Sequence, residues 1–321
     1  MSVRVAALDC GTNTLRLLVA DVDLRAGTLT DVHRCGEIVR LGEGVDATGE
    51  ISPSAMRRAL DVIARYARLC VEAGAGPVRC VATSASRDAR NAAEFAAAVR
   101  DLLGVEPEVV SGTEEARLSF LGAARALAGR PAPVLVVDLG GGSTEVVLGD
   151  PVGGRIEAAV SVDVGSVRIT ERHLHGDPPT DAQLAAARAD VDAALDVVAG
   201  AVDLGRARTL IGLAGTIMTV AAHALRLERL DERAPGRALA AAVEGRAVPL
   251  DDVRTACAEL LALPRPARAA LPYLHPGRVD VIVCLIWDLV LARVAELAPI
   301  RQTIASEHDI LDGIAWALGS A

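Results

Sequence analysis

Two short segments of this chain share one grammar, and the repetition limits what the chain can fold into. "ALDCGTNTLRLLVAD" spans residues 7–21 and "VVDLGGGSTEVVLGD" spans residues 136–150. In each, an apolar run ends in aspartate, Asp-x-Gly opens a polar turn, and a second apolar run follows. Asp9 and Asp21 stand twelve residues apart, as do Asp138 and Asp150. Apolar runs on both sides of a glycine turn read as two buried strands joined by a hairpin. The offset between the copies is 129 residues. That is too long for a solenoid repeat and suits a duplicated domain.

The pattern around each hairpin points the same way. Strands are expected near 3–9, 14–22 and 28–39, then a helix from Ser52 with Pro53 at its first position. A strand at 78–82 leads to a helix opened by Asn91 with Glu94 as a capping box and closed by Gly104. A strand at 106–110 then runs into a helix capped by Thr113. The order restarts with strands near 133–138, 143–149 and 155–162 and helices near 165–174 and 180–199. Thr180 and Gln183 form a second capping box. A strand near 208–213 enters "GLAGT" and another helix. The arginine-rich stretch 226–252 reads as a loop. Helices at 251–262 and 276–298, a short strand "RQTIAS" and a last helix from about 308 complete an α/β chain. Its 321 residues suggest about two domains.

Composition excludes several classes. All 33 basic residues are arginine. This removes lysine-dependent chemistry: the P-loop, the Schiff base and the Ser–Lys dyad. A net charge of −9 without a dense arginine run argues against duplex nucleic acid. The longest apolar stretch, 279–299, contains Asp280, Asp288, Arg293 and Glu296, so it reads as a core helix and not a membrane span. The six cysteines are scattered without a C-x-x-C pair, which fits buried thiols in a reducing, cytoplasmic setting and no zinc site. No H-E-x-x-H occurs, and Ser143 lacks the surroundings of a serine nucleophile.

Four constellations carry possible chemistry. Glycine in the two Asp-x-Gly turns permits close approach to the backbone, and successive N–H groups there form an anion nest. An aspartate beside such a nest suits a cation or a water next to a phosphate. In "SGTEEARLSF" (111–120), Glu114 and Glu115 fall in a helix's first turn. They serve either as dipole-matched capping residues or as a carboxylate that activates water. In "ATSASRDARN" (82–91), Arg87 suits either a bidentate phosphate contact or a surface ion pair. "GLAGT" (212–216) is either an anion-binding helix start or a simple turn.

With these motifs together, the chain resembles the exopolyphosphatase / guanosine pentaphosphate phosphohydrolase (Ppx/GppA) family, as a short two-domain, actinobacterial-type member. The resemblance covers essentially the whole chain. Besides the two turns it is carried by "RLGEGV", "ATSASRDARN", "SGTEEARLSFLGA", "VGSVRITERHL", "GLAGT" and "ASEHDILDGIAW". The resemblance implies two actin-like (ASKHA, ribonuclease H-like) lobes around a central phosphate-binding cleft. The first would span residues 1–127 with a C-terminal helix at about 306–321, and the second 128–305.

It further implies removal of the terminal phosphate of polyphosphate, with a preference for short chains, or of the 5′-phosphate of pppGpp. A non-catalytic sensor of polyphosphate or (p)ppGpp is the alternative of another class. By position, the family's catalytic glutamate falls on Glu115. Phosphate contacts fall on Gly11, Thr12, Asn13, Thr14, Arg87, Gly140, Gly141, Gly142, Ser143, Gly215 and Thr216. Metal contacts fall on Asp138, Glu145 and Asp9, for Mg2+ with Mn2+ as a substitute. A cytoplasmic homodimer with no membrane or duplex nucleic-acid partner is expected. The chain departs from the family pattern in having Thr12 and Thr14 where serine is usual. It also has "SEHDILDG" where many members have Ser-Asp-x-Gly-Leu-Arg-Glu-Gly.

Overall fold

The computed structural model describes residues 2–126, 129–228, 235–279 and 284–320. They form two compact units, Met1–Gly122 with Asp309–Ala321, and Ala123–His308.

The first unit opens with β1 (Val3–Cys10), β2 (Thr14–Asp23) and β3 (Thr28–Ile38). Helices α1 (Val45–Thr48) and α2 (Pro53–Glu72) follow, then β4 (Val78–Ala82), α3 (Ser84–Asp88), α4 (Ala92–Leu103), β5 (Glu108–Val109) and α5 (Gly112–Ala126). The second unit has β6 (Val134–Leu139), β7 (Thr144–Asp150), β8 (Arg155–Val162), α6 (Ser166–His173), α7 (Asp181–Ala201), β9 (Thr209–Leu213) and α8 (Gly215–Ala224). It continues through α9 (Pro235–Val243), β10 (Ala247–Pro249), α10 (Leu250–Ala262), α11 (Arg265–Ala269), α12 (Cys284–Leu297) and β11 (Gln302–Ser306). The chain then returns to the first unit with α13 (Ile310–Gly319).

The first sheet has the order β3-β2-β1-β4-β5. Its β1–β2–β3 part is an antiparallel meander, and β4 and β5 add in parallel. The second sheet reads β10-β11-β9-β6-β7-β8. Here β6–β7–β8 is the meander, β9 and β11 add in parallel, and β10 closes the edge antiparallel. Apart from β10, the two strand orders are the same. The 129-residue repeat in the sequence is thus a repeat of topology.

The near-continuous apolar strands are explained by burial on both faces. Side chains alternate along β1. Ala6, Leu8 and Cys10 pack with α2 and α4 through Ala59, Ile63, Tyr66, Phe95 and Val99. Val5 and Ala7 pack on the other face with Leu118 of α5 and with Ile310, Ile314 and Trp316 of α13. The long apolar stretch near the C-terminus is a core helix as expected, with Trp287 fully buried. Among the described residues no helix is long and apolar enough to cross a membrane. All six cysteines are free thiols, and five are buried.

Local signals hold where one side chain decides them. Ser52 Oγ accepts from the Ala55 N–H (3.2 Å) with Pro53 behind it, and Thr180 with Gln183 completes its capping box. Three expectations fail because another side chain or the core competes. Asn91 does not cap α4; its amide bonds both backbone groups of Ile51 (2.9 and 3.0 Å). Thr113 does not cap α5; the helix starts earlier, and Ser111 Oγ takes the Glu114 N–H (3.2 Å). The stretch 226–252 is not all loop, although residues 229–234 lie outside the described ones. Its alanine-rich part forms α9, with Ala240 and Val243 in the core, and Val248 on β10 pairs with β11. Of the expected 276–298 helix, 276–278 is a 3-10 turn and Cys284–Leu297 is α12, while residues 280–283 lie outside the described ones.

Where α5 meets α13, two glycines allow backbone contact. A Cβ on Gly122 would lie 1.9 Å from the Asp309 carbonyl oxygen, and one on Gly313 would lie 2.0 Å from that of Leu118. Neither obstacle is a side chain that can rotate away. We expect Gly313→Ala to destabilise the first unit by on the order of 3 kcal/mol, read as a lowered midpoint in chemical denaturation.

Candidate functional site

The two glycine turns are built alike. In the first, the Gly11 N–H donates to the Thr14 carbonyl (3.2 Å); in the second, the Gly140 N–H donates to that of Ser143 (3.0 Å). A Cβ on either Gly11 or Gly140 would sit 2.9 Å from that same oxygen. The glycine of Asp-x-Gly is therefore required by the turn itself.

The segment that follows the third strand of each meander then fixes the turn. In the second unit, the Ser166 N–H donates to the Gly140 carbonyl (2.9 Å) and the Val167 N–H to the Gly141 carbonyl (2.8 Å). Arg168 Nε donates to the Gly142 carbonyl (2.8 Å). In the first unit, the Gly42 N–H donates to the Thr12 carbonyl (2.8 Å), and Val39 and Arg40 donate to the Asn13 carbonyl (3.0 and 2.9 Å). A trans peptide carries its C=O and N–H on opposite sides. With these carbonyls drawn to one side, the N–H groups of Gly141, Gly142 and Ser143 face the other. Those of Asn13 and Thr14 do the same in the first unit. Each turn is thereby a preformed nest of donors.

The acids beside the turns differ. Hairpin register places Asp138 opposite Glu145; both are buried, at 7% and 1% exposure, and Ser161 Oγ donates to Glu145 (2.7 Å). In the first unit the same register places Asp9 opposite Arg16, whose Nε and Nη2 both donate to Asp9 Oδ2 (3.0 and 2.7 Å). Burial pushes the Asp9 carboxyl above its usual range, and Arg16 opposes that shift. Among the described residues, Asp9 Oδ1 is buried with no hydrogen-bond partner, as are Asn13 Oδ1 and Ser86 Oγ. Buried polar atoms are rarely left so, and three in one region of one unit favour a ligand or ordered water there.

Glu114 and Glu115, equivalent in sequence, are separated by the fold. Glu114 is paired with Arg117 on its own helix through two 2.7 Å bonds. The Arg117 hydrogen bonds hold its carboxyl below the usual range. Glu115 points elsewhere: Arg87 Nη1 donates to its Oε2 (2.6 Å) and to the Val110 carbonyl (3.1 Å). Thr12 Oγ1 accepts from the Ala85 N–H (3.2 Å), which ties the first turn to α3, the short helix that carries Arg87.

Gly215 and Thr216 start α8 in the second unit. The Arg278 guanidinium lies against Gly215, where a Cβ would meet Nη1 at 2.3 Å. The preceding Ala214 has φ +77° and ψ 164°, a conformation that nearly always belongs to glycine and stores strain at this strand-to-helix turn. Among the described residues no group of three or more His, Cys, Asp or Glu side chains is placed to hold a metal ion.

Sequence reasoning singled out the turns, Glu115 and Arg87 but passed over Arg16, Arg168, Arg278 and Asp309. Arg16 was within reach: the hairpin register that sets Glu145 against Asp138 also sets Arg16 against Asp9.

Comparison with known proteins places these features in context. The sequence model described as the Ppx/GppA phosphatase family matches residues 18–317. Exopolyphosphatase 2 of Mycobacterium tuberculosis is 46% identical over 324 residues, covering 98% of each chain. The crystal structure of an exopolyphosphatase-like protein superposes with a TM-score of 0.93 at 42% identity, covering 99% of this chain and 98% of that one. The Aquifex aeolicus member of the Ppx/GppA family superposes with a TM-score of 0.78 at 27% identity, covering 99% and 97%.

The nest in the second unit depends on Gly165, where a Cβ would lie 2.5 Å from the Gly141 carbonyl group. Gly165→Ala is expected to push the turn away from α6 and to weaken binding of pyrophosphate by about tenfold or more. Isothermal titration would detect this, with circular dichroism reporting a retained fold.

Proposed function

Because the chain belongs to the Ppx/GppA phosphatase family, we propose that it is an exopolyphosphatase, releasing the terminal phosphate of inorganic polyphosphate by hydrolysis of a phosphoanhydride bond. The observation that carries this reading is the pair of matched turns whose N–H groups are forced outward beside buried carboxylates. We read each unit as an actin-like lobe whose glycine turn receives phosphoryl oxygens. A chain of net charge −9 can bind a polyanion this way, because oriented backbone dipoles and single arginines act locally whatever the overall charge.

Glu115 is the residue suited to activate water. It is a carboxylate at 12% side-chain exposure, held by Arg87. Arg87 bonds Oε2 of Glu115 and so orients the carboxylate. Asp138 and Glu145 suit Mg2+, or Mn2+ in its place. They are buried oxygen donors facing each other on neighbouring strands, and Mg2+ is commonly held by one or two carboxylates together with substrate phosphates. When bound, the ion would neutralise charge on the phosphoryl oxygens. The turn N–H groups do the same without reorganising, which is where electrostatic stabilisation of phosphoryl transfer is most effective.

Phosphate release from short polyphosphate, long polyphosphate and pppGpp, each with Mg2+ and with chelator, tests the reading. Release from polyphosphate that chelator stops is expected, and no release from any polyphosphate with either metal would overturn it. Glu115→Gln is expected to lower kcat by about 10²–10⁴-fold, the usual contribution of a general base, with an unchanged melting temperature. Glu145→Gln is expected to raise the Mg2+ concentration needed for half-maximal rate, seen by titrating metal at saturating substrate.

A further inference from the structure

The first turn holds a buried carboxylate whose two oxygens are treated unequally. Arg16 Nε and Nη2 form the edge of a guanidinium that ordinarily spans both oxygens of a carboxylate. Here both donate to Asp9 Oδ2, and Oδ1 is left buried with no hydrogen-bond partner among the described residues. The third nitrogen explains the offset. Arg16 Nη1 donates to Asp309 Oδ2, so the guanidinium is pulled between two acids and sits off-centre on the first.

Asp309 is itself held on every side. It is 4% exposed and is the cap of α13. Its Oδ1 accepts from the Leu311 N–H (3.0 Å), and its own N–H donates to Asp312 Oδ2 (3.0 Å). Asp312 is gripped by Arg34 of β3 through bonds of 2.7 and 3.1 Å. The carbonyl of Asp309 lies where Gly122 of α5 leaves room for no side chain. Asp309 is therefore a fixed point to which the mobile head of Arg16 is tied.

We propose that Asp309 is a positioning residue for the first turn: by holding one arm of Arg16, it keeps the guanidinium off Asp9 Oδ1, so that this oxygen remains open to accept from a water at the bound phosphate. The proposal rests on the phosphohydrolase reading for the role of that water, but its structural part does not. Without the pull of Asp309, Arg16 would fork across both Asp9 oxygens, satisfying a buried acceptor whose vacancy is otherwise costly.

Asp309→Asn separates positioning from capping. Asparagine keeps the oxygen that accepts from Leu311 and is as good a cap, but it presents an NH2 group to Arg16 in place of a carboxylate oxygen. Three measurements decide the matter. The crystal structure of the variant is expected to show Arg16 bonded to both Asp9 oxygens; a guanidinium still on Oδ2 alone overturns the proposal. The melting temperature is expected to stay at the wild-type value while kcat on polyphosphate falls about tenfold to a hundredfold, as for a small misplacement near the chemistry, with little change in KM. A lowered melting temperature with kcat unchanged would mean that Asp309 serves the fold alone. If the wild-type protein hydrolyses no polyphosphate, the function reading fails, and the crystal structure still judges the positioning of Arg16.

Discussion

A peptide plane cannot turn its carbonyl without turning its N–H the opposite way, and both glycine turns of this protein depend on that rule. In each unit the chain leaves the third strand of the meander and uses its own backbone to capture the carbonyls of the turn. Gly42, Val39 and Arg40 do so in the first unit, and Ser166 and Val167, helped by the Arg168 side chain, in the second. The donors of the nest are thus set before any ligand arrives. Glycine is required for two reasons at different places. At Gly11 and Gly140 the turn's own carbonyl leaves no room for a side chain. At Gly165, where α6 starts, the backbone of Gly141 and Gly142 in the turn leaves none.

The same scaffold carries different charges in its two copies. Register sets acid against acid at Asp138 and Glu145, and acid against base at Asp9 and Arg16. Two facing buried carboxylates favour a cation between or beside them. An acid already facing an arginine has no such need, and among the described residues one oxygen of Asp9 has no hydrogen-bond partner. A duplicated fold has therefore kept its backbone device and altered the chemistry one residue pair away. The glutamates of α5 follow a similar logic: adjacent in sequence, they pair with Arg117 and Arg87 respectively.

Much of the fold was legible because the signals were local and repeated. Strand limits around both hairpins, the Ser52 and Thr180 caps and the apolar stretch ending in α12 all follow from patterns within a few residues. Competition from another group, near or far in sequence, explains the failures. Asn91 bonds Ile51, forty residues away in sequence, and not its own helix. Ser111 outcompetes Thr113 as the cap of α5. The stretch after Arg226 looked polar by its arginines, yet its alanines and Val243 and Val248 reach the core of the second unit. Of the candidate site, the turns and Glu115 were picked out from sequence as candidates. The ties that orient them were not, because Arg16 to Asp309 spans most of the chain.

Sequence alone determined that this chain has two Asp-x-Gly hairpins on one repeated topology, that lysine takes no part in its chemistry, and that a phosphate-handling motif set runs along its length. These are matters of residue type and short spacing. Only the tertiary structure decided which way the turn N–H groups face, which of Glu114 and Glu115 is held by Arg87, and which oxygen of Asp9 Arg16 bonds. Each of those depends on the direction of a bond to a residue distant in sequence, and direction is a property that spacing along a chain does not carry.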